Sequence, residues 1–274
     1  MTTSTLDLPP PKVTRLPGRD YISFSAISSF QRCPLAFKFR YVDQIPEEVV
    51  SASLVFGGAI HSAVELHFNE LMAGNPAPDL DTLLDSFQVT WRERDTTEIR
   101  FNKGEDENTL GNLAERMLGA FQKSSCATPT GRILGVEEEL RGEIVPGVPE
   151  LLGRIDLVVE NDDEVVVTDW KTSRSRWSAD QALDNSDQLL LYSELVRSLV
   201  PGKLLRTQFL VITKTKSPSV EVHAVPVSPA RLDRTKRTIE RVWQAIETGN
   251  FFPTPNAMIC TGCPFKGACR DWTG

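Results

Sequence analysis

The chain has 274 residues, of which 40% are hydrophobic and 24% are charged, and its formal net charge is −7. This length is enough to bury one sizeable core, and five cysteines are too few for a disulfide scaffold. An acidic chain is a poor general partner for nucleic acid, because phosphate binding depends on Lys and Arg. A local basic groove can nevertheless lie on an acidic protein.

The N-terminal segment and the lack of long apolar runs bear on location. Residues 1–20 are rich in Pro and Thr and lack the apolar centre of a secretory signal. We therefore expect a flexible leader before a fold that begins near Tyr21. No run approaches the roughly 20 apolar residues that a membrane-spanning helix needs. The sequence predicts a soluble, cytoplasmic protein with no membrane partner, and it carries no prediction of oligomeric state.

The first half of the chain is predicted to be helical. Pro34 interrupts the first apolar pattern, which predicts a break or a first-turn position just after Cys33. Ser25 or Ser28 is the expected cap of the helix before it. Two polar amphipathic segments form a predicted helical insertion at about 78–125. The predicted helical segments are 28–42, 58–72, 80–100 and 109–123.

The second half alternates between strands and helices. Residues 133–145 alternate polar and apolar side chains, which is typical of a half-buried strand. Two further apolar runs, 151–160 and 164–170, are joined by an Asn-Asp-Asp turn and predict a β-hairpin. A helix, two strands and a long amphipathic helix then precede a cysteine-rich tail. These four elements are predicted at 184–199, 205–214, 219–227 and 231–248.

Two aspartates on the predicted hairpin suggest a metal site. Asp156 is expected early in the first strand and Asp169 late in its antiparallel neighbour, so their carboxylates should lie close together. Such a pair could hold a hard divalent ion, which takes oxygen ligands and keeps water for chemistry. Lys171 emerges on the same strand face as Asp169, where it could orient a nucleophile. The alternative is an ordinary Asp–Lys ion pair at the end of a hairpin.

Two same-face pairs on helices accompany this hairpin. His61 and Glu65 are four residues apart and therefore share one face of the second helix. Gln188 and Tyr192 share a face of the helix that follows the hairpin. Taken alone, a helical histidine is usually structural, and the Gln–Tyr spacing indicates only an amphipathic helix.

Three of the five cysteines lie in the last fifteen residues of the chain. Cys260, Cys263 and Cys269 offer three thiolates, and the glycine-containing spacers between them suit a chelating loop. A four-coordinate site needs a fourth ligand, for which Cys33 is the candidate. Four thiolates suit Zn²⁺ as well as an iron–sulfur cluster, so the residues alone leave the metal open. Cys126 is interpreted as a small buried hydrophobic side chain or an ordinary free thiol.

Four short segments occur in the order found in a known family. They are GAIHSAVE, GRIDLV, DWKT and QLLLY, which begin at Gly58, Gly153, Asp169 and Gln188. Together they resemble the RecB-like nucleases of the PD-(D/E)XK superfamily, over most of the chain from Phe24 onward except the segment 80–123. The resemblance implies one nuclease domain at 21–274. Its class would be mixed α/β (α+β), with a restriction-endonuclease-like core in which helices flank a central mixed sheet.

The resemblance also implies roles for individual residues. In that family the matching histidine and two acids bind Mg²⁺ or Mn²⁺, which makes His61, Asp156 and Asp169 metal ligands here. The backbone carbonyl of Trp170 would be a further ligand. Lys171 would be catalytic and would align the attacking water.

Three more residues would support this site. Gln188 and Tyr192 would steady it and touch DNA, with Gln188 counted among the catalytic residues. Glu65 would support His61. The chain departs from the family pattern at one point, because Ile155 replaces the proline before the first aspartate, which RecB-like members commonly tolerate.

The distribution of cysteines resembles AddB and the CRISPR-associated RecB-like exonucleases, in which one N-terminal and three C-terminal cysteines carry a [4Fe–4S] cluster. The resemblance therefore favours this cluster over Zn²⁺ as the cofactor. The tail 253–274 would be an iron–sulfur module that is completed by Cys33 and joins the N- and C-terminal regions. Its expected role is structural. The implied ligands are Cys33, Cys260, Cys263 and Cys269.

The resemblance implies a metal-dependent deoxyribonuclease, and its exonuclease branch favours single-stranded or end-bearing DNA. A helicase or a CRISPR-adaptation protein is the kind of partner that it suggests. The basic segment 171–177 is a candidate for phosphate contacts. Two alternatives stay open. One is a non-catalytic DNA-binding or scaffold subunit of a repair, recombination or CRISPR-adaptation complex. The other is a zinc-stabilised metalloenzyme that acts on another phosphoester.

Overall fold

The structure, a computed structural model, describes residues 16–93 and 98–274. Most of the predicted leader (1–15) and part of the predicted helical segment (94–97) lie outside the described residues. Leu16 is already buried in the core, so packing begins before Tyr21.

The strands are β1 (Tyr21–Ser23), β2 (Val49–Ser51), β3 (Glu98–Arg100), β4 (Arg132–Gly142), β5 (Glu150–Glu160), β6 (Glu164–Ser173), β7 (Leu204–Thr213) and β8 (Val220–Val225). The α-helices are α1 (Phe24–Arg32), α2 (Pro34–Phe37), α3 (Ala52–Met72), α4 (Leu80–Arg92), α5 (Glu107–Gln122), α6 (Ala179–Asp184), α7 (Asp187–Arg197), α8 (Pro229–Glu247), α9 (Ala257–Thr261) and α10 (Lys266–Asp271).

Six strands form one mixed sheet around β5. β4 pairs with β5 in antiparallel fashion along one side. On the other side, β6 pairs antiparallel with one half of β5 and β1 pairs parallel with the other half. β7 continues the sheet parallel to β6, and β8 ends it antiparallel to β7. The predicted fold class, a mixed α/β core with a central sheet flanked by helices, is confirmed.

Helices cover both faces of this sheet. α1, α7 and α8 enclose one core, to which β7 contributes Phe209 and Val211. α3, α4 and α5 enclose the other core, to which β7 contributes Leu210 and Ile212. Adjacent residues of one strand point to opposite faces, so a continuous apolar run such as β7 supplies both cores. The functional residues described below approach the sheet from both helical layers.

The first two helices begin differently from the prediction. Ser23, rather than Ser25 or Ser28, caps α1, and its side chain accepts a backbone N–H at 3.3 Å. Ser23 was available for this role because it is the last residue of a short strand that was not predicted. The prediction for Pro34 is confirmed, since this residue takes the first-turn position of α2 directly after Cys33.

The next helical segments differ at their ends. α3 begins at Ala52, before the predicted start at residue 58, because Val55 and Phe56 extend its buried face. The prediction of one helix over 80–100 was wrong at its C-terminal end. α4 ends at Arg92, and the last three residues of the segment form β3, which pairs with β2.

The second half of the chain follows the prediction more closely. The five predicted strands and the long C-terminal helix are confirmed with small shifts of their ends. The predicted helix 184–199 is confirmed as α7, whereas the short helix α6 that precedes it was not predicted. The short helices α9 and α10 of the tail were not predicted. Within residues 16–93 and 98–274, no helix has both the length and the apolar composition needed to cross a membrane.

Candidate functional site

The β5–β6 hairpin brings two aspartates together. β5 and β6 pair through Leu157 and Thr168, and the next step of the same register places Asp156 opposite Asp169. Asp156 lies just past the middle of β5, whereas an early position was predicted. The backbone N–H of Trp170 donates to Oδ2 of Asp156 at 2.5 Å, which fixes the carboxylate at this point.

Two further side chains approach Asp156 from neighbouring elements. His61 on α3 places its Nδ1 3.9 Å from Oδ2 of Asp156 and 3.9 Å from Oε1 of Glu137. Glu137 lies on β4, and the antiparallel register brings it opposite Asp156 on β5. One potential ligand atom from each of the three residues lies within 4.8 Å of the other two. One imidazole and two carboxylates form a ligand set that suits a divalent metal ion.

Glu137 was not among the predicted site residues. A polar residue of a half-buried strand is expected to face solvent, so nothing in the local pattern marked it. Its φ is 50°, in the left-handed region that residues other than glycine rarely adopt and that costs about 1–2 kcal/mol. Nε of Arg154 holds the Glu137 carboxylate through Oε2 at 2.8 Å. Such a backbone conformation beside buried acids indicates a functional position, and only the structure reveals it.

Burial and mutual repulsion change the ionisation of the acids. The pKa of Asp156 is raised well above its usual value, first by burial and then by the charges of Asp169 and Glu137. Burial also raises the pKa of Asp169 and of Glu137, although Lys171 opposes the first shift and Arg154 the second. Three carboxyl groups are therefore crowded together with incomplete compensation by the described residues. A divalent cation would supply the missing positive charge.

His61 has a pKa shift in the opposite direction. Its pKa is lowered to about 4, first by burial and then by the charge of Lys171, with a smaller effect from Lys214. A backbone hydrogen bond with Trp170 acts in the other direction. The imidazole is therefore neutral at neutral pH. A neutral imidazole offers the lone pair that a metal ion requires.

Lys171 lies at the end of a chain of polar contacts. Its Nζ forms an ion pair with the buried Asp169 and donates to Oε1 of Gln188 at 3.1 Å. Gln188 in turn donates from Nε2 to the hydroxyl of Tyr192 at 2.8 Å. Gln188 and Tyr192 lie one turn apart on α7, as their spacing predicted. These contacts hold the amine of Lys171 next to the acids.

Gly153 allows α7 to approach the hairpin closely. A Cβ atom at this position would lie 2.8 Å from a side-chain atom of Leu195 and 2.9 Å from the ring of Tyr192. Both distances are shorter than side-chain atoms tolerate in a packed core. Because glycine has no Cβ atom, Gly153 lets Tyr192 lie close against β5. The hydrogen bonds from Tyr192 through Gln188 to Lys171 depend on this position.

We expect Gly153→Ala to lower the free energy of unfolding by about 1–3 kcal/mol, because the added methyl group overpacks the contact with α7. Equilibrium unfolding in urea measures this change. Gly111→Ala is the matched control, since its Cβ would meet only Gln88, at 4.0 Å. Alanine is favoured over glycine in a helix by about 0.5–1 kcal/mol, so the control should be neutral or stabilised. A Gly153→Ala protein as stable as the wild type would contradict the close approach.

The other predicted site residues lie around this cluster. Asp169, a predicted metal ligand, directs its carboxylate to Lys171 and is outside the group of three clustered ligand atoms found among the described residues. The backbone of Trp170 contacts both His61 and Asp156. Glu65 raises the pKa of Glu137 by its charge. In the part of the chain that the structure describes, Glu65 makes no hydrogen bond with His61.

The four cysteines that were predicted to share a site line one cavity of about 300 Å³. Burial is the main cause of a raised thiol pKa at Cys263 and Cys269, and the charges of the neighbouring thiols contribute further. Cys126 is apart from this cavity and packs against the core under α3, in agreement with its interpretation as a small hydrophobic side chain. The cysteines that line the cavity are Cys33, Cys260, Cys263 and Cys269.

The region around α2 is tied to the C-terminal tail by packing and by backbone hydrogen bonds. Leu35 and Phe39 form a small separate core with Phe265. The backbone N–H of Leu35 donates to the carbonyl of Phe252 at 3.0 Å, and that of Glu48 donates to the carbonyl of Pro264 at 3.2 Å. The cysteine cavity therefore lies at a junction between two parts of the chain that are distant in sequence.

Comparison with known proteins gives a family and a fold. The sequence model of the PD-(D/E)XK nuclease superfamily matches residues 21–270. Among solved structures, the crystal structure of a candidate exonuclease from Eubacterium rectale has a TM-score of 0.53 and 14% sequence identity, over 92% of this chain and 88% of that chain. At this identity the likeness supports the fold alone.

A second solved structure, that of SSO0001, covers 89% of this chain and 94% of that chain at 17% identity, but its TM-score is only 0.37. No curated protein gives a significant match by sequence. The family match, in contrast, extends over most of the chain and includes every residue of the site described above. The chain therefore belongs to the PD-(D/E)XK nuclease superfamily.

Proposed function

We propose that this chain is a metal-dependent DNA nuclease of the RecB-like branch, which hydrolyses phosphodiester bonds. Membership of the superfamily supports a nuclease. The observation that carries the proposal is the convergence of His61, Glu137 and Asp156. The amine of Lys171 is close enough for its charge to lower the pKa of His61 and to oppose the rise in the pKa of Asp156. An imidazole, carboxylates and a lysine are the groups that metal-assisted phosphodiester hydrolysis uses.

The proposed metal is Mg²⁺ or Mn²⁺, held by His61, Glu137 and Asp156. Asp169 and the backbone carbonyl of Trp170 are the further ligands that the family resemblance implies. The composition of the ligand set fits, because hard divalent ions prefer oxygen ligands and Mn²⁺ also accepts a neutral imidazole. When bound, such an ion supplies positive charge that lowers the pKa of a coordinated water.

The side chains of this chain have separable roles in the proposed reaction. Lys171 orients the attacking water and donates to the negative charge that develops on the phosphate. Its side chain is 31% exposed, so the amine can reach a substrate from solvent. Gln188 fixes the position of that amine, and Tyr192 fixes Gln188. Burial raises the pKa of Tyr192 to about 12, so its hydroxyl stays protonated in this role.

We propose that the substrate is single-stranded or end-bearing DNA and that the enzyme is an exonuclease. The support for this choice is the resemblance of the sequence segments to the exonuclease branch of the RecB-like nucleases. A helicase or a CRISPR-adaptation protein that acts in trans would supply such DNA ends. The same site also fits endonucleolytic cleavage, so product lengths are the measurement that distinguishes the two modes.

We propose a structural [4Fe–4S] cluster at Cys33, Cys260, Cys263 and Cys269. Support comes from the single cavity that all four thiols line. When bound, the cluster supplies a covalent connection between α2 and the C-terminal tail, and thiolate ligands are what such clusters take. Metal analysis with an anaerobic visible spectrum distinguishes the cluster from Zn²⁺, because only iron–sulfur gives a broad absorption shoulder toward the blue.

The experiment that tests the nuclease proposal uses purified protein and end-labelled DNA. Single-stranded and double-stranded oligonucleotides are incubated with Mg²⁺, with Mn²⁺ or with EDTA, and product lengths are followed over time. We expect metal-dependent products that shorten progressively from one end. A protein with full metal and cluster content that leaves every substrate intact would contradict the proposal.

We expect Glu137→Gln to weaken Mn²⁺ binding by at least about 10–100-fold, because the loss of a charged direct ligand should cost no less than the loss of a group that only supports a ligand. Titration calorimetry measures the affinity directly, without relying on cleavage. Glu138→Gln is the matched control, since Glu138 is the adjacent strand residue and is exposed. If the two variants bind Mn²⁺ as tightly as the wild type, Glu137 is not a ligand and the metal site must be built without it.

A further inference from the structure

A pocket beside the candidate metal site contains two basic side chains that the proposed mechanism does not use. The pocket has a volume of about 240 Å³ and opens between α3, α5 and the ends of β6 and β7. Phe56 forms part of its apolar wall. Its polar lining consists of Ser53, Glu105, Arg174 and Lys214.

The sheet register places the two basic residues side by side. Ser173 and Thr213 are the last partners of β6 and β7, and the backbone N–H of Lys214 donates to the carbonyl of Ser173 at 2.6 Å. Arg174 and Lys214 are therefore the first residues beyond the paired strands. Nζ of Lys214 lies 4.9 Å from the centre of the Phe56 ring, so the half-buried amine is held at the wall of the pocket.

The charges of this pocket are unbalanced. Glu105 is the one carboxylate in its lining, and Oε1 of Glu105 lies 3.9 Å from Nη2 of Arg174. Oε2 of the same carboxylate accepts the side-chain amide of Asn102 at 2.6 Å. The amine of Lys214 makes no ion pair or hydrogen bond with residues 16–93 or 98–274. Burial and then the charge of Arg174 lower the pKa of Lys214 to about 8, so the two cations repel each other and an anion between them would relieve that repulsion.

The position of the pocket suits the path of a bound strand. Arg174 follows Lys171 by three residues, which is about 10 Å along an extended chain. The charge of Lys214 reaches His61, whose pKa it lowers. The other basic residue of this segment is already engaged, because Nε of Arg176 pairs with Oε1 of Glu221 at 3.1 Å. Within the described part of the chain, Arg174, whose contact with Glu105 is long, and Lys214 therefore have capacity for a ligand next to the site.

We propose that Arg174 and Lys214 bind a backbone phosphate of the nucleic-acid strand, one or two nucleotides from the phosphate that is cleaved. This inference rests on the proposed nuclease function and adds a binding subsite to it. Contacts to phosphate position a strand without reading its bases. The subsite therefore holds the substrate in register with Lys171 whatever its sequence.

The test measures binding of a fluorescein-labelled single-stranded oligodeoxynucleotide by fluorescence anisotropy in EDTA, across a range of salt concentrations. Arg174→Gln and Lys214→Gln should each weaken binding about 5–10-fold at low salt. Each should also reduce the slope of log K against log salt, and the double variant should reduce it by about 0.7, the value for one phosphate contact on a single strand. Lys214→Arg keeps the charge and should bind like the wild type. Arg234→Gln, at an exposed arginine on α8, is the control on the other helical layer.

Each outcome is informative. The Arg174 side chain is 70% exposed, so the Arg174→Gln protein should fold. This variant tests the phosphate subsite even if the Lys214→Gln protein does not fold. Wild-type affinity and slope in Arg174→Gln would overturn the subsite. Cleavage of the same oligonucleotide by wild-type protein with Mg²⁺ is measured in parallel. If the wild type cuts but the slopes do not change, the nuclease proposal stands and only this inference falls. If the slopes change but the wild-type protein does not cut the DNA, the phosphate contact stands and the nuclease proposal falls.

Discussion

Replacing Lys171 with alanine is expected to lower the rate of DNA cleavage by about 10²–10³-fold, the usual effect of removing one group that stabilises charge in a transition state. The amine of Lys171 is the group that the structure holds between a buried carboxylate, Asp169, and the amide of Gln188. In the proposed reaction, its loss would remove the group that orients the attacking water and the phosphate but none of the three side chains proposed to hold the metal, His61, Glu137 and Asp156. Single-turnover cleavage of end-labelled DNA at saturating Mg²⁺ measures the effect.

The control for this variant is Lys236→Ala. Lys236 also forms a partly buried ion pair, with Oε2 of Glu194 at 2.8 Å, and its side chain is 29% exposed, close to the 31% of Lys171. Loss of Lys236 should therefore have a small effect on stability and none on cleavage. A Lys171→Ala protein that is folded, binds Mn²⁺ and cuts DNA at the wild-type rate would show that the lysine has no catalytic role.

The second large effect is expected for Cys260→Ser, which should lose iron and lower the melting temperature by about 10–20 °C. A cluster that bridges Cys33 and Cys260 closes a loop of more than 200 residues. In the chain-entropy description, opening a cross-link over so long a loop costs about 5 kcal/mol, and each kcal/mol corresponds to about 2–4 °C in a domain of this size. Iron content, the visible spectrum and calorimetry under anaerobic conditions measure the change.

Cys126→Ala is the control, because this thiol packs against the core and is not part of the cysteine cavity. It should keep the full iron content and the visible spectrum. If Cys260→Ser retains iron and melts like the wild type, the cysteine cavity does not bind a cluster. Stoichiometric zinc in the wild-type protein would instead identify Zn²⁺ as the occupant.

Much of the site could be predicted because it depends on local geometry. Asp156 and Asp169 lie at equal distances from the turn of a tight hairpin, so the antiparallel pairing of its two strands places them opposite each other. This placement does not depend on the rest of the fold. Lys171 follows Asp169 by two residues on the same strand and therefore had to share its face. The proximity of His61 was anticipated only through the family resemblance, since no local rule relates α3 to the hairpin.

Glu137 could not be predicted because its role depends on two features that are not local. The first is the register of β4 on β5, which brings it opposite Asp156. The second is its positive φ, which a run of alternating strand residues does not indicate. The proximity of Arg174 and Lys214 has the same origin, because it depends on the parallel register of β6 and β7, two strands that the helices α6 and α7 connect.

The short strands were missed for a similar physical reason. β1 and β3 have three residues each, too few for an alternating pattern, and each is extended only because a distant partner supplies hydrogen bonds. In the case of β3, the amphipathic pattern of α4 continued into the strand and favoured one longer helix. Elements of this kind are determined by tertiary pairing and not by propensity.

The junction between α2 and the C-terminal tail has a consequence for biosynthesis. Leu35 and Phe39 leave the ribosome more than 220 residues before their packing partner Phe265 is made. The nascent chain therefore exposes these apolar side chains until Phe265 has been synthesised and can pack against them. A chain that is terminated before Phe265 would lack this partner and would present the same apolar surface to chaperones and proteases.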